Sequence, residues 1–311
     1  MILTACPNTA LDIILFIDEW TPGIPVRTNR MVHCVGGKGL DSSVVLSQLG
    51  VHTTAIACFA GYMGKQLLDI VNDYGIKTEP VWVEGENRVS YVVAEAKNKR
   101  HTHIIAGEMA ITSEQKDNFI NKFTQHLLQA DFAIMAGSLP ASMGEDFYAS
   151  LVSSANQAGV PCLVDSQQAF MHKAIKENPL IVKMNWEEFE WTFGCKVNNL
   201  DELINKAREV KKMHAIRNMV LTLSKEGILA LSEDGEYLAK APLQEPVNAA
   251  GAGDAVSAAL GWRLSLREDW DVALRWAAAI SAAAVLTERT GDVQIGDVEN
   301  IYPKVTVKKL N

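Results

Sequence analysis

The sequence has no long apolar run, no paired-cysteine motif and no surplus of basic charge, and each absence removes a class of function. Its longest apolar stretch, Trp276 to Leu286, falls short of the roughly 20 residues that a membrane-spanning helix needs. Five cysteines (Cys6, Cys34, Cys58, Cys162, Cys195) are widely spaced, odd in number and form no C-x-x-C pair. Buried thiols in a reducing cytoplasm suit that pattern better than a disulfide framework. Lys and Arg total 29 against 37 Asp and Glu, a formal net charge of -8. Affinity for nucleic acid rests on phosphate neutralisation, so no nucleic-acid partner is expected. A local basic pocket for one small phosphate is compatible with any net charge. Met1 to Pro7 contain neither a basic region nor a long apolar stretch, so no signal peptide is read there. Several nucleotide motifs are missing too: G-x-x-x-x-G-K-[ST], a G-x-G-x-x-G after a strand, and the H-R-D and D-F-G pair. A soluble cytoplasmic protein is expected, with neither membrane nor nucleic acid as partner.

With 48% hydrophobic and 21% charged residues over 311 positions, the chain is ordinary for a globular enzyme and long enough to bury one large core. Ile2 to Cys6 reads as a strand, followed by an extended piece from Leu11 to Phe16. Gly36-Gly37-Lys38-Gly39 opens a helix, and Val51 to Phe59 is the next strand. Val89 to Ala96 and His101 to Ala106 have hairpin character around Lys97 to Arg100. From Glu114 onward helices alternate with apolar strands at Phe132 to Ala136, Pro161 to Val164, Ile181 to Met184 and Met219 to Leu223. Such alternation implies a mostly parallel sheet covered on both faces. The extended pieces at about 11–31 and 86–107 interrupt the rhythm and read as a small β lid inserted in one domain, 1–311.

The most informative segment is Val247-Asn248-Ala249-Ala250-Gly251-Ala252-Gly253-Asp254-Ala255. Small residues permit a tight turn and a close approach to a ligand. The apolar stretch Ala255 to Leu266 reads as a buried helix, whose first N–H groups lack partners and whose dipole favours negative charge. A phosphoryl group could be held there, with Asp254 close enough to take a proton from an incoming hydroxyl. The plain alternative is an Asp that only caps the helix.

This G-A-G-D resembles the ATP-site signature of the ribokinase-like sugar kinases, the phosphofructokinase B family. Gly36-Gly37-Lys38-Gly39-Leu40-Asp41 is similar to that family's glycine pair beside the sugar, and Asn185-Trp186-Glu187-Glu188 to its N-x-x-E element. The resemblance covers almost the whole chain. It implies a three-layer α/β/α fold with a β lid, with ATP and Mg²⁺ as cofactors. Asp254 would be the base, and Gly251, Ala252 and Gly253 would stabilise the moving phosphoryl group. Lys183, Asn185, Ser224, Gly227, Gly251 and Gly253 would contact the nucleotide, and Asn185 and Glu188 would reach magnesium through water.

For the acceptor, Asn8-Thr9-Ala10-Leu11-Asp12 and Gly137-Ser138-Leu139-Pro140 look like stretches of the branch that includes 1-phosphofructokinase and tagatose-6-phosphate kinase. By that resemblance Asp12, Gly36, Gly37 and Asp41 face the sugar, and Arg88 and Ser138 bind its existing phosphate. Lys38 and Arg27 are further candidates for that anion. A planar guanidinium suits phosphate oxygens. The expected substrate is therefore a phosphorylated ketohexose; a free sugar or nucleoside, or a sugar-phosphate regulator without turnover, are the alternatives. The chain departs from the family in two places. Asp41 stands where the family usually has Asn, which removes an amide donor and adds a carboxylate. Asn248-Ala249-Ala250 stands where a Thr-Val pair is common. A homodimer joined through the lids is expected, because a β lid exposes strand edges. His101 and His103 share a strand face without a third metal ligand, Cys34 and Cys58 read as core thiols, and Asp165 reads as either acceptor-side or a helix cap.

Overall fold

The computed structural model describes residues 1–98 and 100–310; Lys99 of the expected hairpin turn and the side chain of His101 lie outside the described residues. From the N-terminus, β1 (Ile2–Cys6) leads into β2 (Ala10–Ile17) and β3 (Met31–Gly36), then α1 (Lys38–Gln48), β4 (Thr53–Ala60) and α2 (Gly61–Asp73). Next come β5 (Lys77–Gly85), β6 (Arg88–Glu95), β7 (Arg100–Ala106) and the short β8 (Met109–Ala110). Helix and strand alternate through α3 (Ser113–Leu127), β9 (Phe132–Ala136), α4 (Phe147–Gln157), β10 (Cys162–Asp165) and α5 (Gln168–Lys176). They continue as β11 (Ile181–Asn185), α6 (Trp186–Phe193), α7 (Leu200–Met213) and β12 (Asn218–Thr222). The chain closes with β13 (Ile228–Leu231), β14 (Glu236–Lys240), α8 (Ala252–Ser265), α9 (Trp270–Ala284), α10 (Ile295–Ile301) and β15 (Thr306–Lys309).

Each element follows from local chemistry. Strands β1, β4 and β9 are buried at every position, which is what near-continuous apolar runs dictate for parallel strands covered on both faces. Helix α7 buries Leu203, Ile204, Ala207 and Val210 along one stripe, and the Asn199 side chain caps it by accepting from the Glu202 N–H. Helix α8 is apolar and small-residued on every side, and Ala255 to Gly261 are all buried. It packs between α1, α9 and the sheet.

The large sheet runs in the order β15-β14-β13-β12-β11-β10-β9-β1-β4-β5-β8. Strands β5, β4, β1, β9, β10, β11 and β12 are parallel to their neighbours in this run. One face carries α3 to α7 over a core that includes Phe119, Phe147, Tyr148 and Phe189. The other carries α8, α9 and α10 over a core of alanines with Ile134, Leu163 and Leu274. This is the expected three-layer α/β/α arrangement.

The antiparallel edge β13, β14 and β15 had no counterpart in the sequence reading, because its short strands lack a strong period. The extended pieces of the sequence form one separate sheet, in the order β3-β2-β6-β7. Its first part runs on to Gly36 rather than stopping near position 31, since Met31–Gly36 pairs residue by residue with β2. Helix α8 likewise starts at Ala252, three residues before the expected Ala255. Strand β1 lies between β4 and β9, and the chain leaves it first to one side and then to the other. A crevice outside the carboxyl ends of strands is expected at such a switch point.

Candidate active site

Two cavities open along those carboxyl ends. The larger, about 890 Å³, is lined among others by Lys183, Asn185, Ser224, Gly227, Lys240 and Gly253. The smaller, about 440 Å³, lies under the small sheet and is lined among others by Asp12, Gly37, Asp41, Arg88, Ser138 and Thr290. Lys38, Glu188 and Asp254 line both. The site residues expected from the sequence thus gather at one junction, with the exception of Arg27. That side chain is exposed and lines a separate, open cleft with Asp18, Glu19 and Glu245. Its loop, between β2 and β3, turns away from the small cavity.

Asp254 sits in the first turn of α8, where the N-cap is Gly251 with φ 82°. That left-handed backbone suits glycine. The cap is therefore not Asp254, and its carboxylate is available for other work. The first helical amides, from Ala252 onward, precede the bond from the Ala255 N–H to the Gly251 carbonyl and lack helical acceptors of their own. Burial pushes Asp254 up to about 7, reinforced by the Asp165 carboxylate and opposed by Lys38 and Lys183.

Beneath it, Asp165 is fully buried at the end of β10. Its Oδ2 accepts from Lys183 Nζ at 2.6 Å and from Ser257 Oγ at 2.9 Å, and its Oδ1 from Lys38 Nζ at 2.9 Å. Burial opposes its charge, but Lys183 and Lys38 outweigh burial and hold it well below the usual carboxylate range. Lys38 Nζ also donates to Glu188 Oε1 at 2.8 Å. Lys38, a candidate for the substrate's anion, is thus already paired on two sides. Asp165 does not cap the following helix, whose N-cap is Gln167; it fastens two lysines to the floor, one of which, Lys38, lines the small cavity. An aspartate ending a buried strand was the only sequence signal for this.

Asn185 and Glu188 form a reciprocal cap at the start of α6. Asn185 Oδ1 accepts from the Glu188 N–H at 2.7 Å, and Glu188 Oε2 from the Asn185 N–H at 2.9 Å. The N-x-x-E spacing alone would have announced that cap. Ser224 begins a short turn with φ 52° at the rim of the large cavity. Gly227 lines that cavity too, but a side chain there would place its first carbon 2.1 Å from the Ala239 carbonyl oxygen. The close approach of strand β14 by itself requires glycine there.

In the small cavity, a side chain at Gly36 would come within 2.4 Å of Asp12 Oδ1, so the absence of one leaves room for that carboxylate. Burial raises Asp12 to about 7 against the pull of Arg88 and a hydrogen bond from Thr290. Arg88 makes no ion pair among the described residues, and its Nε is buried without a hydrogen-bond partner. Ser138 is exposed, and its Oγ accepts from Asn8 Nδ2 at 3.0 Å. Thr290 and His103 line this cavity as well. Sequence reading missed Thr290, which stands in no recognisable pattern, and considered His103 only as a metal ligand without a third partner.

A family model described as pfkB family carbohydrate kinase matches residues 8–295. The chain is 24% identical over 310 residues to the 1-phosphofructokinase of Bacillus subtilis (strain 168), with 100% of each covered. A structure described as a possible 1-phosphofructokinase of Thermotoga maritima superposes with a TM-score of 0.89 at 23% identity, covering 100% of this chain and 99% of that one. Phosphofructokinase-2 of Escherichia coli, solved with substrates and products, gives 0.88 at 21% identity over 97% and 98% of the two chains. The structural likenesses carry the fold, and the family match spans nearly the whole chain and both cavities. The chain therefore belongs to the pfkB family of carbohydrate kinases, phosphotransferases with an alcohol group as acceptor.

Proposed function

We propose that the protein transfers the γ-phosphoryl group of ATP to a hydroxyl of a phosphorylated ketohexose: fructose 1-phosphate, fructose 6-phosphate or tagatose 6-phosphate. One observation carries this reading. Asp254 lines both cavities, with Lys38 and Glu188, so occupants of the two meet at its carboxylate. The unpaired Arg88 guanidinium in the smaller cavity supports an acceptor that already carries a phosphate. The kinds of relative found, 1-phosphofructokinase and phosphofructokinase-2, are consistent with it.

In this mechanism the acceptor hydroxyl lies beside Asp254, which takes the proton as the oxygen bonds to phosphorus and ADP departs. The amides at the start of α8 and the ammonium of Lys183 face the transferring oxygens. Positioning and fixed charge do most of the work in such a transfer. Magnesium, when bound, would neutralise phosphate charge. Among the described residues no three His, Cys, Asp or Glu side chains gather as a metal cage, and Asn185 and Glu188 already hold hydrogen bonds within the chain. That donor set fits an ion that keeps its waters and takes its other ligands from phosphate, with Asn185 and Glu188 holding those waters.

The small sheet would act as a lid that excludes water from the acceptor. Its exposed Met31, Tyr91 and Ile104 support a homodimer joined through the lids; the parent should sediment as a dimer and Ile104→Lys as a monomer. The five unpaired cysteines support a reducing cytoplasm.

The test is ADP release with Mg·ATP across phosphorylated sugars, free sugars and nucleosides. Turnover confined to ketohexose phosphates is expected, and turnover only on free sugars or nucleosides would overturn the reading. Arg88→Ala should raise the acceptor KM roughly ten- to a hundredfold, the usual cost of losing a hydrogen bond to a charged group, while the ATP KM holds.

A further inference from the structure

Asp41 is the one carboxylate of the small cavity with an orphaned oxygen. The residue is 4% exposed and lines the cavity, and its Oδ1 is buried without any hydrogen-bond partner. A carboxylate buried without a partner is costly, whereas a carboxylic acid is much less so and gains a donor. Its neighbours press in the same direction. Asp254 on α8 and Asp12 on β2 face it with like charge, opposed by a hydrogen bond from the Gly37 N–H to the carboxyl and by the Arg88 cation on β6. Cys34 on β3 and Cys6 on β1 are thiols raised by burial to about 12, so neither supplies charge near neutrality. Lys38 is held by Asp165 and Glu188. From the remaining side, the Gly291 backbone packs against the Asp41 backbone and Cβ.

The charge count then decides the state. Beside Glu188, which Lys38 holds, three more ionised carboxylates would share a cavity of about 440 Å³ with a single unpaired guanidinium. An incoming phosphate ester adds about −1.5 to −2 more. Like charges in one site cannot all remain ionised, and the one that is most buried and least compensated yields first. Burial, Asp254 and Asp12 together raise Asp41 well above the ordinary carboxylate range.

We infer that Asp41 binds the acceptor as a neutral carboxylic acid, keeping the buried Oδ1 as an uncharged carbonyl oxygen and donating the carboxyl proton in a hydrogen bond to a sugar oxygen. The residue then acts much as an amide would: it offers a donor without adding charge beside the phosphate. This rests on the reading of the small cavity as the acceptor site. It makes Asp41 a specificity residue, because a donor placed there selects an acceptor oxygen at that position.

The proton can be seen directly. The infrared difference between the wild-type enzyme and Asp41→Asn at pH 7 should contain the carbonyl stretch of a protonated carboxyl; its absence overturns the proposal. In turnover, Asp41→Leu should raise the acceptor KM about tenfold, the cost of one lost hydrogen bond. Asp41→Asn, which retains a donor, should recover most of that loss. Equal loss in the two variants would mean that the charge is what matters, and the proposal would fall. The wild-type acceptor KM should climb on the alkaline side as Asp41 loses its proton, and Asp41→Asn should lack that climb. If Asp41→Leu and Arg88→Ala both leave the acceptor KM unchanged, the acceptor-site reading fails as well. If only Asp41→Leu does so, the proposal alone fails.

Discussion

Asp165 and Asp254 are both withdrawn from water within one cleft, yet the first is held well below the ordinary carboxylate range and the second is pushed to about 7. The floor around Asp165 contains two lysines bonded to it, so burial is overruled. The wall of the small cavity contains Asp254, Asp12 and Asp41, faced by Arg88 and by Lys38, which is already bonded to the floor. Burial raises every one of these carboxylates, and whether bonded cations outweigh it decides the state. A floor of constant charge can hold geometry, while a wall that titrates near neutrality can exchange protons with a hydroxyl.

The strongest way to break this comparison is Asp254→Asn. We expect the variant to fold and to lose at least about a hundredfold in kcat, the low end for removal of a general base. Wild-type kcat should fall as pH drops below about 7, where Asp254 gains its proton. Its stability signature has the opposite direction. Between the ordinary value of 3.8 and about 7 the folded state binds more protons than the unfolded one, so this group's contribution weakens as pH rises through that window. Melting temperatures at pH 8 should therefore show no penalty for the Asn variant. Near-normal turnover would remove Asp254 from the chemistry.

Asp165→Asn tests the floor. It strips two lysines of their shared anion, one of them buried, and should cost about 3 kcal/mol in a urea titration, the scale for breaking a buried ion pair. Because Asp165 is depressed, its contribution is complete above the unfolded value and is lost as pH falls through the folded one. A loss below about 1 kcal/mol would mean that the lysines are held by something other than charge. The smallest effect belongs to Asn185→Ala, which removes one half of the reciprocal cap and should cost about 1 kcal/mol. A concurrent rise in the magnesium needed for half-maximal rate would sharpen the picture, showing that the side chain also serves the ion.

Much of the frame was legible in the residues. Ile2–Cys6 and Phe132–Ala136 were read with the boundaries they have, because continuous apolar runs between turn residues admit few other conformations. The glycine-rich turns before α1 and α8 were legible for a similar reason, and they brought Lys38, Asp41 and Asp254 to notice. Strand β3 and the β13 to β15 edge were not, since their pairing is decided by partners distant in sequence. Arg27 looked equivalent to Arg88 as a cation in the lid region, yet the loop that carries it follows a different cleft.

By itself the sequence determined the layered fold, the two turns and most of the groups that line the two cavities, because propensity, periodicity and small-residue runs are local properties. Only the tertiary structure decided what those groups are worth. It tied Lys38 and Lys183 to Asp165, joined Asn185 and Glu188 in a helix cap, and left Asp41 Oδ1 and Arg88 Nε without hydrogen-bond partners. Protonation and pairing depend on burial and on charges brought together from positions more than a hundred residues apart, and no short stretch of sequence encodes those distances.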